Sequence, residues 1–274
     1  MSKVTIVCSV YIAKGDYARI RKTKEWYNGI TKSAGMDFNL SLVDDHSELG
    51  IEDLKGALEP KGYCKKITWE RRAKKRQGKA INLNKLIKAV KTPFVAVVDN
   101  DVLLPDTWLV GCTLISGFGA DPEISVSLED RASLGSGKMT PAKIGVCGVA
   151  MERQIRFEKE HTIKGVPLVV PSMLGGACLV WRKDVLGDSG YFNEDFGMYG
   201  NEDNEFLLRL NSEKFMVVAI LGRGVHVEYP DDDKEYIDWK RTTHREHVED
   251  SDAILGKHYE KLGYPTPNLI VRAR

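Results

Sequence analysis

The chain has 274 residues, with 40 Lys and Arg against 39 Asp and Glu, for a formal net charge of +1. That length admits one large α/β domain, or one domain with an appendage. The near balance of charge excludes a general nucleic-acid coat or an acidic tail. Five cysteines, odd in number and without paired spacing, exclude a disulfide framework or a cysteine zinc site and read as reduced, buried thiols.

No apolar run approaches the ~18 residues of a membrane span. The first residues open on a strand pattern, with no charged-then-apolar leader, so the expected location is cytoplasmic. Val4 to Ile12 reads as a first buried strand, broken by Lys14-Gly15-Asp16. Tyr17 to Ser33 carries helical spacing through Ile20, Trp26, Tyr27 and Ile30, with Gly35 as its stop. Phe38 to Val43 alternates as a strand and ends in Asp44-Asp45-His46-Ser47. A short helix around Ile51 to Leu58, a strand over Lys65 to Trp69 and a helix over Ala80 to Val90 follow. The recurring β-α-β-α-β-α-β order predicts a doubly wound sheet, parallel through its first hundred residues, with right-handed crossovers.

Phe94-Val95-Ala96-Val97-Val98 is an unbroken apolar run that ends in Asp99-Asn100-Asp101. Such a run marks a central strand covered on both faces, and α/β sheets bind ligands beyond the carboxyl ends of their strands. Alternate residues of an extended chain point the same way. Asp99 and Asp101 are therefore expected to converge on one hard cation or one sugar phosphate. The bland alternative is a turn that caps the helix begun by Pro105.

Beyond Pro105 the pattern predicts a helix through Trp108, Leu109, Cys112 and Ile115, then a strand over Ile124 to Leu128. From Gly135 to about Pro171 the period is lost, which predicts an inserted, partly irregular segment shaping a substrate site. Gly175-Gly176-Ala177 leads into a strand ending near Trp181; Asn201 to Asn211 is helical, and Phe215 to Leu221 is a further strand. Asp231-Asp232-Asp233 starts an amphipathic helix running toward Tyr259. Asn201-Glu202-Asp203-Asn204-Glu205 reads as ordinary acidic capping of its helix, or as part of a site. His226, flanked by valines, is either a hydrogen-bonded side chain or a partner for carboxylates at a Mn²⁺ or Mg²⁺ site.

Taken together these residues resemble a known family. Val43-Asp44-Asp45-His46-Ser47, Gly78-Lys79-Ala80 with Asn84, and Asp99-Asn100-Asp101 come first. Gly175-Gly176-Ala177-Cys178-Leu179-Val180-Trp181-Arg182, Gly190-Tyr191-Phe192-Asn193-Glu194-Asp195-Phe196 and Gly200-Asn201-Glu202-Asp203-Asn204-Glu205-Phe206 follow, then the late His226. The order is similar to that of the GT-A fold glycosyltransferases of the family 2 type, over roughly residues 3 to 227. Two positions depart from it: Val102, where a second acid is frequent, and Glu205, where Asp is usual.

The resemblance implies a GT-A, Rossmann-like three-layer α/β/α sandwich with a mainly parallel central sheet and a C-terminal helical extension. It implies a domain over 1–227, with 1–104 as the nucleotide-binding half and 105–227 as the acceptor half, followed by the extension 228–274. The implied donor is a nucleotide sugar, most commonly of uridine diphosphate, with Mn²⁺ or Mg²⁺. Asp44 and Asp45 would meet the nucleoside, Lys79 the diphosphate, and Asp99 with Asn100 the ribose side. Asp101, Asp99 and His226 would hold the metal. Gly175 and Gly176 would let backbone approach a sugar, Asp203 would be the general base, and Glu202 would orient acceptor or base. The implied reaction is a single displacement with inversion.

Two other readings stand beside this one. A haloacid-dehalogenase-like phosphatase would use Asp99 and Asp101 as nucleophile and acid, and a non-catalytic binding protein would keep the fold alone. The basic stretch from Lys65 to Lys79 has three readings: a solvated loop, a phosphate site, or a patch for nucleic acid or anionic membrane. His244-Arg245-Glu246-His247 lacks zincin spacing and reads as a solvated helix face. The acceptor has no signature: a glycan, a lipid carrier, a protein or modified nucleic acid all fit.

Overall fold

A computed structural model describes residues 2–70, 74–118, 143–152, 157–163, 165–171, 174–197, 200–213, 215–229 and 250–262. β1 (Val4–Val10), α1 (Tyr17–Ser33), β2 (Phe38–Asp44), α2 (Ile51–Ala57), β3 (Cys64–Glu70), α3 (Lys79–Ala89) and β4 (Phe94–Val98) follow in the predicted order. Next come β5 (Val102–Leu103), α4 (Trp108–Phe118), β6 (Lys143–Met151), β7 (Phe157–Ile163) and β8 (Val166–Pro171). β9 (Cys178–Arg182), α5 (Lys183–Leu186), α6 (Glu202–Ser212), β10 (Phe215–His226) and α7 (250–261) complete the described chain.

The strands form one sheet in the order β3-β2-β1-β4-β9-β6-β10-β8-β7, with β5 pairing β10 beside that path. β3, β2, β1 and β4 are parallel neighbours, as are β6 and β10. β9 runs antiparallel between β4 and β6 and joins these two parallel blocks. β4 shows why its run is apolar without interruption. Ala96 and Val98 join the core containing α1 and α4, whereas Val95 and Val97 join the core containing α3 and α6. A strand sandwiched this way has no solvent face to leave polar. The result is the expected three-layer arrangement.

The segment 143–171 corrects the sequence-based expectation of an irregular insertion. It holds a buried central strand, β6, and the antiparallel pair β7 and β8. Gly145 and Gly148 look like breakers in the sequence, but neighbouring strands demand them. A Cβ on Gly145 would stand 2.7 Å from Phe215 Cβ, and one on Gly148 would stand 2.4 Å from the Cys178 carbonyl oxygen. The expected strand Ile124 to Leu128, the helix start at Asp231 and the stretch His244 to His247 lie outside the described residues.

Two clamps hold the parts that carry the site. On α3, the buried Asn84 donates from Nδ2 to the Phe192 carbonyl (2.8 Å) and to Glu194 Oε1 (2.9 Å), and accepts from the Phe192 N–H (2.8 Å). On the far side, α7 meets the start of α6: Asn201 Nδ2 donates to Asp252 Oδ1 (2.6 Å) and Ser251 Oγ (3.2 Å), while His258 Nε2 meets Asn193 Nδ2 (3.0 Å). No helix among the described residues is long and apolar enough to cross a membrane.

The Asn84 clamp generates a prediction. Asn84→Ala strands the buried N–H and carbonyl of Phe192, which should cost about 2–3 kcal/mol in urea unfolding. A loss near zero would mean that this loop carries no structural weight.

Candidate active site

The carboxyl ends of β1, β2 and β4 and the start of α6 meet on one edge of the sheet. At β2 the chain turns through Asp44 and Asp45, both buried. Asp44 Oδ1 accepts from the Ser47 N–H (2.8 Å), and Ser47 Oγ accepts from the Ile12 N–H (3.0 Å), which fixes this turn to the end of β1. Asp45 uses both oxygens on the loop before α3, accepting from the N–H groups of Gln77 (2.7 Å) and Gly78 (3.1 Å). Gly78 takes φ 93° there, a left-handed conformation open to glycine, and α3 starts at the next residue.

Lys79 opens α3 and reaches across the edge. Its Nζ lies 2.7 Å from Asp99 Oδ1 and 3.5 Å from Glu202 Oε1, so one cation bridges β4 to α6. Burial by itself would lower the Lys79 pKa, but Asp99, Glu202 and Asp203 outweigh it and raise the group well above its ordinary value. Lys79 is therefore a fixed positive charge at neutral pH.

The alternation that would have aimed Asp99 and Asp101 at one point ends at Val98, and residues 99–101 form a turn. The two carboxylates accordingly take different partners. Asp99 pairs with Lys79, whereas Asp101 Oδ2 accepts from Arg19 Nη1 at 2.8 Å. Between them Asn100 is buried. Its Nδ2 donates to Thr23 Oγ1 (2.7 Å) and its Oδ1 lies 3.4 Å from Arg19 Nη1, both partners on α1. Burial pushes the Asp101 carboxyl up, but Arg19, His226 and Lys22 overcome that and hold it below its usual range.

His226 arrives from the far end of the sheet. Its register pairing with Val102 across β5 and β10, and the hydrogen bond from the Val227 N–H to the Asp101 carbonyl (2.8 Å), place its Nδ1 3.9 Å from Asp101 Oδ1. Among the described residues no cluster of three or more His, Cys, Asp or Glu side chains forms a metal cage. Asp101 and His226 are the pair of metal-capable side chains that face each other at the turn. An oxygen and a nitrogen donor at that separation fit a Mn²⁺ or Mg²⁺ ion that takes its remaining ligands from water and phosphate oxygens.

Asp203 lies on the opposite side of the edge, in the first turn of α6. Its Oδ2 accepts from the Gly176 N–H (2.8 Å) and its Oδ1 from the Asn204 N–H (2.9 Å). Gly176 has to be glycine, because a Cβ would stand 2.5 Å from Asp203 Cβ and 2.7 Å from Oδ2. The close approach expected between Gly176 and a sugar is thus occupied by Asp203 itself. Ala177 adjoins the turn from the same segment, its carbonyl accepting from the Asp99 N–H (2.9 Å). Glu202 is buried; its Oε2 accepts from the Gly200 N–H (3.2 Å).

The basic stretch divides along β3. Lys65 and Lys66 lie at the other edge of the sheet, in a groove of about 670 Å³ shared with Lys3 and Lys91. Lys74 and Lys75 are exposed, while Arg76 stacks over Tyr11 (3.7 Å) and lies 3.7 Å from Asp45 Oδ2. Arg71 and Arg72 fall outside the described residues. Arg19 escaped the sequence reading although a signal was present. Residues 18, 19, 22, 23, 26, 27 and 30 lie on the buried side of α1, and two near its start, Arg19 and Lys22, are cationic. A charge at the head of a buried stripe needs a partner.

Residues 17–129 match the sequence profile of Glycosyl transferase family 2. Among solved structures, the mannosyltransferase PcManGT from Pyrobaculum calidifontis, in complex with GDP-Man and Mn²⁺, is 15% identical with a TM-score of 0.56, over 94% of this chain and 63% of that one. S. aureus TarS 1–349 in complex with UDP-GlcNAc is 14% identical with a TM-score of 0.52, over 100% of this chain and 76% of that one. GalNAc-T7 with UDP, GalNAc and Mn²⁺ is 12% identical with a TM-score of 0.51, over 96% of this chain and 55% of that one. The chain thus spans less than two thirds of PcManGT and of GalNAc-T7. No curated sequence matches it. The shared architecture is the GT-A fold.

Glu202 generates a prediction about pH. Burial raises its carboxyl above the ordinary 4.5, Lys79 opposes the rise, and Asp203 and Asp99 add to it. A carboxyl raised by folding favours the folded chain below its unfolded pKa, and that contribution is lost as pH rises through the folded value. Glu202→Gln removes this component. Denaturant unfolding followed from pH 4.5 upward should show the variant gaining stability relative to the parent as pH rises. The opposite trend would mean that the ion pair with Lys79 outweighs burial.

Proposed function

We propose that this chain, a family 2-like glycosyltransferase of the GT-A fold, moves a sugar from a nucleotide diphosphate donor to an acceptor hydroxyl with inversion at the anomeric carbon. The observation that carries the reading is the placement of Asp203. Its carboxylate is oriented by the Gly176 N–H (2.8 Å), and Ala177, the next residue, adjoins the Asp99 turn. A carboxylate held there by backbone donors can accept the proton of an acceptor hydroxyl late in the displacement.

In this reading residues 1–104 form the donor half, residues 105–227 the acceptor half, and 228–274 an extension whose helix α7 braces α6. Uridine diphosphate is the expected nucleotide; UDP or UDP-GlcNAc accompanies TarS, and UDP accompanies GalNAc-T7, among the similar structures. Lys79, held by Asp99 and Glu202, is a cation for the diphosphate. Asp44 and Asp45 shape the nucleoside end through the turn they hold. Asp101 and His226 hold Mn²⁺ or Mg²⁺. When bound, that ion neutralises charge on the leaving diphosphate. Glu202, buried beside Asp203, orients the base.

Three outcomes test the proposal. Calorimetric titration with a panel of nucleotides and nucleotide sugars should find one nucleoside diphosphate whose binding requires Mn²⁺. Absence of binding by all of them in folded protein would return the chain to the phosphatase or non-catalytic readings. Asp203→Asn should reduce transfer by about 10²–10⁴-fold while donor affinity stays within a factor of about three; lost donor affinity would give this residue another role. Gly176→Ala, which displaces Asp203, should lower kcat by about 10²-fold with little change in donor binding.

A further inference from the structure

Each carboxylate of the Asp99–Asp101 turn already has its own cation. Lys79 Nζ lies 2.7 Å from Asp99, and Arg19 Nη1 lies 2.8 Å from Asp101 Oδ2. Arg19 is itself locked in place. It is 9% exposed, its backbone N–H donates to Asp16 Oδ1 (2.9 Å), and its carbonyl accepts from Thr23 Oγ1 (2.8 Å). Thr23 in turn accepts from Asn100, the residue between the two aspartates. The guanidinium and the turn are thus parts of one network, not a surface ion pair that opens freely.

The division of Asp101 between two partners has a consequence for cation binding. Oδ2 belongs to Arg19, and Oδ1 faces His226 Nδ1 across 3.9 Å. A carboxylate is close to symmetric about its last torsion, so the Arg19 contact is what selects the oxygen presented to His226. It also cancels the charge that would draw a bare divalent ion. Arg19 Nε also lies 3.9 Å from Asp16 Oδ2, while Lys22 adds a further positive field on Asp101. A diphosphate brings the missing negative charge.

We infer that Arg19 makes cation binding conditional on the diphosphate: it orients Asp101 for the ion while neutralising it, so that the ion is held strongly only together with the nucleotide. Arg19 is therefore a positioning residue whose charge sets the coupling between the two ligands. The inference rests on the donor and metal reading proposed above. It assigns to α1 a part in substrate binding.

Mn²⁺ binding followed by electron paramagnetic resonance, with and without UDP, tests the inference without any assay of transfer. The parent protein should bind Mn²⁺ weakly alone and at least about 10²-fold more tightly with UDP, the upper part of ordinary coupling between two ligands. Arg19→Gln keeps a hydrogen-bond donor but removes the charge. It should bind Mn²⁺ alone about tenfold more tightly, the effect of a unit charge roughly 6 Å from a divalent ion even in a water-like dielectric, and its Mn²⁺–UDP coupling should shrink. Arg19→Lys, which keeps the charge, should stay near the parent. Equal Mn²⁺ affinity in the parent and Arg19→Gln, or equal disturbance by Gln and Lys, would overturn the inference. So would tight binding of Mn²⁺ alone to the parent, a result that needs no variant to fold. Failure of Mn²⁺ and UDP to bind the parent in any combination would instead overturn the donor reading.

Discussion

Carboxylates gathered at a sheet edge and partly withdrawn from water must each be given a cation or a set of N–H donors, or they protonate or unfold the edge. This constraint organises the molecule. Asp45 is given the N–H groups of Gln77 and Gly78, Asp99 and Glu202 share Lys79, Asp101 is given Arg19, and Asp203 is given the Gly176 N–H. Each of these donors comes from a different element than the acid it serves, although Asp203 also accepts from the Asn204 N–H of its own helix and Glu202 from the nearby Gly200 N–H. Satisfying the acids therefore docks α1, α3 and the segment before β9 onto the edge.

The same pairings bring side chains from distant parts of the chain to one edge of the sheet. β9 is antiparallel between β4 and β6, which lays Gly176 and Ala177 beside the Asp99 turn. Lys79 spans the interval from β4 to α6, and Asn84, further along the same helix, binds the loop that leads toward α6. α3 is thus attached at two points to the part of the chain that carries Asp203. α7 supports α6 from outside through Asn201, whose φ of 60° is a left-handed conformation uncommon outside glycine and costs energy unless neighbours enforce it.

Cations play different parts at the edge according to their freedom. Lys79 bridges two acids and stays charged because three carboxylates outweigh its burial. Arg19 is fixed by its own helix cap and by the Asn100 and Thr23 contacts, and its planar fork engages one oxygen of Asp101. A divalent ion at Asp101 would therefore meet a carboxylate whose charge Arg19 already offsets, which ties its affinity to the ligand charge beside it.

The first hundred residues were legible because a buried parallel strand leaves a local record: an apolar run, a turn, then an amphipathic helix. β1 to β4 and α1 to α3 appear where those patterns stand. β6 was not legible. Gly145 and Gly148 break its apolar run in sequence, and their purpose is set by Phe215 and Cys178, far away in the chain. Local pattern cannot distinguish a glycine that breaks a strand from one required by the neighbouring strand.

The site divides in the same way. Sequence by itself determined the doubly wound core, the acids at its carboxyl edge, and the run from Gly175 to Leu210 that marks the resemblance, because hydrophobic period and motif spacing are local properties. Tertiary structure alone decided which partner each acid takes. Strand alternation stops at Val98, so Asp99 turns to Lys79 while Asp101 turns to Arg19 and His226. Those choices depend on α1, α3 and β10 arriving at one turn from three directions, and no window of sequence contains that meeting.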